Sequence, residues 1–146
     1  MADVTSPVKD AKREARTNRY VRPEFESGQR VVMMARSDNM SCLIHLIKGG
    51  GEENLHSHPG SDAYWFVLSG KAQFFGEGDE ELGTIGKHEG IFIPRGFRYR
   101  FKGLGDEPLE ILRAASRMPQ VKQDRVDYGP MSETTKEAYA TITRAD

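Results

Sequence analysis

Two histidines separated by one residue, His56 and His58, are the side chains of this sequence best placed to do chemistry. In an extended strand, residues i and i+2 point to the same face, so both imidazoles can reach one ion or one substrate. A neutral imidazole is the commonest metal ligand among protein side chains, and it also exchanges protons near neutral pH. Two solvated loop histidines can have the same spacing by chance, so the surrounding sequence must separate the two interpretations.

The segments around this pair have the composition of β-strands. Short runs rich in Val, Ile, Phe, Tyr and Trp alternate with turns that contain Gly, Asp, Pro and Asn, which is typical of an all-β sandwich or barrel. A βαβ fold is disfavoured, because the central region offers no helix long enough to connect parallel strands. The predicted strands are residues 30–35, 40–46, 55–58, 63–68, 72–75, 90–93, 99–102 and 109–114.

Both ends of the chain are polar and differ in this from the β-rich centre. A Ser followed by Pro can start a helix over residues 6–16, and Ser132 can cap a helix over residues 134–143. We expect both ends to be peripheral, with the C-terminal one either exposed or docked on a neighbouring subunit. The predicted division is an N-terminal arm (1–25), a β-barrel domain (26–118) and a C-terminal tail that includes the short helix (119–146).

Composition limits the class of partner. The 146 residues carry 21 Lys and Arg against 22 Asp and Glu, so no summed charge steers the chain toward nucleic acid or an anionic membrane. No segment resembles a membrane span, and the first 20 residues lack the apolar stretch of a signal peptide, so we expect a cytoplasmic protein with a small-molecule partner. Cys42 is the only cysteine, which excludes an internal disulfide and any multi-cysteine metal site.

The residues around the histidine pair resemble the first motif of the cupin superfamily. That motif runs Gly, five residues, His, one residue, His, three or four residues, Glu, six residues and Gly. The later run from His88 to Gly103 is similar to the second motif, whose core is Pro, one residue, Gly, two residues and His. The matching residues are Gly50, His56, His58, Gly70, Pro94 and Gly96.

The resemblance covers about residues 30–115 and leaves both ends unmatched. It implies a small single-domain cupin, which is an all-β double-stranded β-helix, or jelly roll, with its ligand site inside the barrel. The mouths of such barrels are common small-molecule pockets. Because a short open barrel leaves edge strands that a partner can cover, we also expect a homodimer.

Two of the four usual cupin metal ligands are replaced in this sequence. The position of the motif's Glu is occupied by Ala63, whose methyl group cannot bind metal, and the position of its last His is occupied by Tyr99. A phenol is a poor ligand, because it must lose a proton whose pKa is ordinarily about 10. Asp62 retains carboxylate chemistry next to Ala63, but it faces the site only if the loop after Pro59 is still irregular there.

Three interpretations of this incomplete ligand set stay open. In the preferred one, a divalent Zn, Fe, Mn or Ni ion binds His56 and His58, with Tyr99 or Asp62 as further ligands, in an enzyme of the oxygenase, isomerase, cyclase or lyase type. In the second, no metal binds and His56, His58 and Tyr99 exchange protons with the substrate, as the resemblance to metal-free cupin sugar epimerases and isomerases implies. In the third, the chain binds a ligand without catalysis.

The substrate pocket is predicted from strand alternation. If Ala63 faces inward, Trp65 does too, and Phe101 shares a face with Tyr99. Such an aromatic wall suits a flat aromatic or other apolar substrate, although Trp65 and Phe101 equally suit a plain core. His45 lies in an apolar strand, so we expect a core or surface histidine with satisfied hydrogen bonds and leave it out of the site.

Overall fold

Strands dominate the molecule. The computed structural model describes residues 14–49 and 53–146. In chain order its elements are β1 (Gly28–Arg36), β2 (Met40–Lys48), β3 (His56–Ser57), β4 (Ala63–Ser69), β5 (Lys71–Gly76), a 3-10 turn (Glu77–Asp79), β6 (Glu81–Ile85), β7 (Gly90–Ile93), β8 (Tyr99–Leu104), β9 (Leu109–Ser116), β10 (Val126–Asp127), α1 (Glu133–Ala140) and β11 (Thr143–Arg144).

These strands form two sheets that share one core. The first sheet has the order β11-β1-β2-β9-β4-β7, and the second has the order β10-β3-β8-β5-β6. Strands β1 and β11 run parallel, and the other neighbouring strands run antiparallel. This arrangement of two packed antiparallel sheets is the predicted double-stranded β-helix, so the all-β fold class is confirmed.

The core is built from the inward side of each sheet. Along β4, Ala63, Trp65 and Val67 are buried while Tyr64 is exposed, as the period of two in a strand requires. The ring of Trp65 packs against that of Phe101 from the other sheet, with 4.9 Å between centroids. Each buried side chain of this size contributes about 1.5–3 kcal/mol relative to an exposed one. The sheets are therefore held together by an aromatic layer directly beneath the histidine pair.

Gly70 makes the tight connection between β4 and β5. Its φ is +81°, in the left-handed region that favours glycine. A Cβ at this position would stand 2.6 Å from the carbonyl oxygen of Pro108, which is backbone and cannot move away cheaply. Both constraints explain why a glycine closes the first sequence motif at this position.

Each of the eight predicted strands has a counterpart whose ends differ by at most two residues. Three further strands, β6, β10 and β11, are present that the sequence did not predict. Strand β6 begins with Glu81 and contains Gly83, so it lacks an apolar alternation. Strands β10 and β11 are two residues long and form through pairing with distant parts of the chain, which no local pattern reveals.

The C-terminal segment packs on its own barrel. It adds β10 beside β3 and β11 beside β1, and α1 lies next to β1 with Thr135 and Ala138 buried. Ser132 caps the helix as predicted, since its hydroxyl accepts a hydrogen bond from the amide of Thr135 at 3.2 Å. The helix ends at Ala140, earlier than predicted, because Thr143 pairs with β1 instead. Among the described residues, no helix is long and apolar enough to cross a membrane.

Residues 14–25 contain neither helix nor strand and are tied to the outside of the first sheet. The hydroxyl of Tyr20 donates to Glu110 at 2.6 Å, and Arg22 forms an ion pair with the same carboxylate. The predicted helix over residues 6–16 falls outside the described residues except for its last three, which are not helical.

Candidate functional site

A cavity of about 760 Å³ opens beside the histidine pair. Its wall combines side chains from β1, β2, β4 and β9 of the first sheet, β3 of the second sheet, and the C-terminal segment from Lys122 onward. Met33, Leu43 and Trp65 supply apolar surface, and charged side chains supply much of the remainder. The C-terminal segment, expected only to be peripheral, thus forms part of the candidate site.

Both predicted histidines line this cavity, and both are fixed in one tautomer. Nδ1 of His56 lies 2.7 Å from the carbonyl oxygen of Asn54, and Nδ1 of His58 lies 2.5 Å from that of Asp124. Because a carbonyl oxygen only accepts hydrogen bonds, each Nδ1 carries the proton and each Nε2 keeps a free lone pair. The two ring centroids are 5.0 Å apart, so both lone pairs belong to one site.

Burial keeps both imidazoles uncharged. It lowers the pKa of His56 to about 3, with the positive charge of Arg125 as the next cause. It likewise lowers the pKa of His58 to about 3, with the charge of Arg113 as the next cause. Both rings are therefore neutral at neutral pH, and both can accept a proton or a Lewis acid through Nε2.

Asp124, from the C-terminal segment, positions the loop that carries His58. Besides the main-chain contact to His58, its carboxylate accepts a hydrogen bond from the amide of Gly60 at 2.6 Å and another from the hydroxyl of Ser61. Charge-assisted bonds of this kind are stronger than those between neutral groups. Sequence reasoning missed Asp124, because it lies more than sixty residues from its partners in a segment without apolar pattern.

Tyr99 lies behind the cavity rather than in its wall. Its side chain is completely buried in the core, its hydroxyl accepts a hydrogen bond from Nε1 of Trp65 at 3.3 Å, and its ring lies 4.6 Å from that of His56. Burial raises the pKa of Tyr99, which disfavours the phenolate that a metal would need. Of the predicted pocket residues, Trp65 lines the cavity, whereas Phe101 and Ala63 are buried in the packing beneath it.

The structure does not bring Asp62 to the histidines. Its carboxylate accepts a hydrogen bond from the backbone amide of Arg95 at 2.9 Å, and it is absent from the cavity wall. Asp62 immediately precedes β4, whose first residue, Ala63, faces inward, so Asp62 follows the strand alternation and points away.

His45 lies on the cavity wall, contrary to its exclusion from the site. It is buried as expected, its ring is 5.0 Å from that of Trp65, and neither ring nitrogen has a hydrogen-bond partner among the described residues. Burial lowers the pKa of His45 to about 4. The sequence did contain a sign of this position. His45 lies two residues from Leu43 and two from Ile47, so it shares the inward face of β2 with them.

Arg113 is the second residue that sequence reasoning missed. It sits on β9 directly across from Trp65, its guanidinium lies 5.8 Å from the Trp65 ring, and its side chain is buried. Its Nε and Nη2 atoms have no hydrogen-bond partner within the described parts of the chain. Its position in the strand could again have been used, because Arg113 lies two residues from Ile111 and two from Ala115 and shares the inward face of β9 with these core residues.

Arg125 is paired, in contrast to Arg113. Its guanidinium contacts Glu53 at 3.3 Å, Asn54 at 2.9 Å and Asp127 at 2.9 Å. Glu53 is completely buried and also accepts a hydrogen bond from Gln29 at 2.9 Å. This network lies along one side of the cavity, and it pairs the carboxylates of Glu53 and Asp127 with Arg125.

The donor set does not fit a closed site for a divalent metal. Residues 14–49 and 53–146 contain no group of three or more His, Cys, Asp and Glu side chains arranged to hold an ion. His56 and His58 supply two ligands, but Tyr99 and Asp62 do not complete the set. The charges of Arg113 and Arg125, which disfavour a proton on the histidines, also disfavour a divalent cation.

Comparison with known proteins places the fold. A family model described as the cupin domain matches residues 42–114, half of the 146-residue chain. This match spans the histidine pair, β4 to β8 and most of β9. Among curated proteins, no sequence matches significantly.

Solved structures resemble the whole barrel at low sequence identity. An uncharacterized conserved protein with a double-stranded β-helix domain from Klebsiella pneumoniae has a TM-score of 0.64 at 18% identity, covering 80% of this chain and 100% of its own. An RmlC-like cupin from Desulfovibrio desulfuricans gives 0.59 at 17%, covering 70% and 97%. The DMSP lyase DddQ from Ruegeria pomeroyi gives 0.57 at 20%, covering 73% and 54%. Similarity at these identities establishes the fold alone.

Proposed function

The chain belongs to the cupin family, and we propose that it is an enzyme that moves a proton on a small organic molecule bound in the barrel, without a metal. The observation that carries this proposal is the pair of fixed tautomers. Each Nδ1–H is held by a carbonyl oxygen, which leaves the lone pair of each ring on Nε2, and both rings line the cavity with their centroids 5.0 Å apart. General bases must present such a lone pair to the substrate.

Isomerisation is the reaction class that this pair supports best. One imidazole takes a proton from a carbon next to a carbonyl group on its free Nε2 and, as the resulting imidazolium, returns that same proton to a different atom of the substrate. The second imidazole accepts a hydrogen bond from the substrate through its own Nε2. The proton balance closes within the site, so no oxidant, reductant or cofactor is required. In this assignment His56 and His58 are the catalytic residues, and Trp65 contacts the substrate.

Tyr99 has no proton-transfer role in this proposal. Its hydroxyl faces Trp65, and its side chain does not line the cavity. The metal-dependent interpretation that the sequence analysis preferred stays a prediction. The homodimer, the cytoplasmic location and the division of the chain into arm, barrel domain and tail after residues 25 and 118 also stay predictions. A non-catalytic ligand-binding cupin is the competing class.

Metal content separates the metal-free proposal from the metal-dependent alternative. The full chain is purified without a nickel column, and its bound metals are measured by plasma emission beside those of the double variant His56→Ala, His58→Ala. We expect less than stoichiometric metal in both proteins. Stoichiometric metal that disappears in the double variant would contradict the proposal and favour a metal centre.

Proton exchange separates an enzyme from a binding protein. Phenylpyruvate carries an acidic C–H next to a carbonyl group, and its exchange with D₂O is followed by NMR. We expect the wild type to exchange this proton faster than the double variant His56→Gln, His58→Gln, and the variant Tyr99→Phe to retain the exchange. Equal rates in wild type and the double histidine variant would favour the non-catalytic class.

A further inference from the structure

Arg113 carries hydrogen-bond donors that none of the described residues uses. Its side chain is 7% exposed, yet Nε and Nη2 lack partners among the described residues. Buried polar groups in native proteins are almost always hydrogen-bonded, and a buried charge without partners is particularly costly. Because Arg113 lines the cavity, a bound molecule can supply the missing acceptors.

The two unused donors define the shape of that acceptor. Nε and Nη2 form one edge of the planar guanidinium, and their N–H bonds point in nearly parallel directions. A carboxylate presents two oxygens at the matching spacing, and it can accept both bonds at once. The unpaired edge of Arg113 is therefore a complete carboxylate fork.

The charge of the cavity also favours an anion. Six cationic side chains line it against three carboxylates, and two of those carboxylates, Glu53 and Asp127, are already paired with Arg125. The third, Asp124, is bound to the loop that carries His58. The cationic residues are Arg36, Arg113, Arg117, Lys122, Arg125 and Lys136.

The surroundings of Arg113 describe the rest of the ligand. Trp65 is its direct cross-strand neighbour and offers an aromatic surface to an apolar body. The ring of His45 lies 5.0 Å from that of Trp65, and its Nδ1 lies 4.0 Å from Oε1 of Glu53, beyond hydrogen-bond distance. The ring keeps one donor and one acceptor without a hydrogen-bond partner among the described residues. A hydroxyl or carbonyl group on the ligand can use either one.

We infer that the substrate is a small carboxylic acid whose carboxylate is bound by Nε and Nη2 of Arg113 and whose apolar body lies against Trp65. That the bound acid is a substrate rests on the proposed function, whereas the way in which Arg113 and Trp65 bind it does not. In this arrangement Arg113 is the specificity-determining residue, and the histidine pair acts on the part of the molecule that extends from Trp65.

A matched pair of probes tests the binding mode in the full chain. Phenylacetate and phenylacetamide have nearly the same size, but only the former is charged. Trp65 is the only tryptophan, so its fluorescence reports occupancy of the cavity directly. We expect phenylacetate to bind at least about tenfold more tightly, because charge-assisted hydrogen bonds are lost with the amide.

Variants of Arg113 separate charge from geometry. By calorimetry, Arg113→Gln should abolish the preference for phenylacetate, and Arg113→Lys should restore only part of it, because lysine keeps the charge but lacks the fork. Arg98→Gln, which removes an exposed cation outside the cavity wall, is the matched control and should keep the full preference.

Thermal stability shows whether a variant loses binding because it misfolds. Arg113→Met removes an unpaired buried charge, so its Tm without ligand should equal or exceed that of the wild type while phenylacetate binding is lost. A lower Tm together with unchanged phenylacetate preference would show that Arg113 has a structural role, and this would overturn the inference.

Three further outcomes would also overturn the inference: equal affinity for the two probes, a preference that survives in Arg113→Gln, and inorganic phosphate that displaces phenylacetate and binds more tightly. Its failure can be distinguished from failure of the proposed function. Phenylacetate preference without phenylpyruvate exchange would sink only the enzyme proposal. Exchange without any carboxylate preference would sink only the inference.

Discussion

At the scale of single residues, the three cavity histidines share burial but differ in what holds them. His56 and His58 each donate through Nδ1 to a main-chain carbonyl, whereas neither ring nitrogen of His45 has a hydrogen-bond partner among the described residues, and its Nδ1 lies 4.0 Å from Oε1 of Glu53. For all three, burial is the main cause that lowers the pKa, to about 3, 3 and 4 respectively. In the unfolded chain the same groups titrate near 6.5.

This difference predicts acid sensitivity. Below pH 6.5 the unfolded state binds protons that the folded state refuses, so the free energy of unfolding falls as the pH drops from 6.5 toward 4. Each histidine contributes at most about 1.4 kcal/mol per pH unit in that window. His45→Leu should therefore reduce the slope by about that amount, as measured by urea denaturation between pH 7 and pH 4.5.

The control for this prediction is His88→Asn. His88 is exposed, and its φ of +67° is a conformation that asparagine tolerates, so this variant should leave the pH slope unchanged. A wild-type slope that His45→Leu does not alter would mean that His45 is protonated in the folded state, and its place in the cavity wall would need revision.

At the scale of elements, β3 depends on support from both sides. This two-residue strand pairs with β8 through His56 and Tyr99, and with β10 through Ser57 and Val126. Strand β10 follows Asp124, which fixes the loop after β3. The geometry of the histidine pair is therefore set largely by the C-terminal segment.

Removal of the Asp124 carboxylate should loosen this support. Asp124→Ala leaves the amide of Gly60 and the hydroxyl of Ser61 without their acceptor, and we expect a loss of about 1–3 kcal/mol in the free energy of unfolding. Asp124→Asn keeps one acceptor oxygen and should lose less. Urea denaturation measures both.

Asp106→Ala, in an exposed turn, is the matched control for loss of a carboxylate and should change stability by less than about 0.5 kcal/mol. If Asp124→Ala were as stable as this control, the C-terminal segment would not be what positions His58.

At the scale of the whole molecule, the sequence predicted the barrel and its central pair for a physical reason. The features that allowed this prediction are local in the chain, and the structure contains each of them: alternating strands, glycine turns and the spacing around His56 and His58. Gly70 is an example, because only glycine tolerates both the positive φ of this position and its close approach to the backbone of Pro108.

The remainder of the site depends on contacts between distant segments. Asp124 and Arg125 lie in a polar stretch that acquires its role only when it packs against β3 and Glu53. Arg113 and His45 were accessible in principle, because each lies in phase with buried neighbours on its strand. His45 was interpreted as a core or surface histidine and Arg113 was not singled out, because only the assembled cavity shows that both side chains line one site.

The central claim is that His56 and His58 are neutral, with Nδ1 protonated and Nε2 free. Long-range ¹H–¹⁵N NMR of the ¹⁵N-labelled full chain at pH 7 reports the protonation of each ring nitrogen. For both histidines we expect a protonated Nδ1 and an unprotonated Nε2. An imidazolium, or an Nε2–H tautomer at either histidine, would contradict the account.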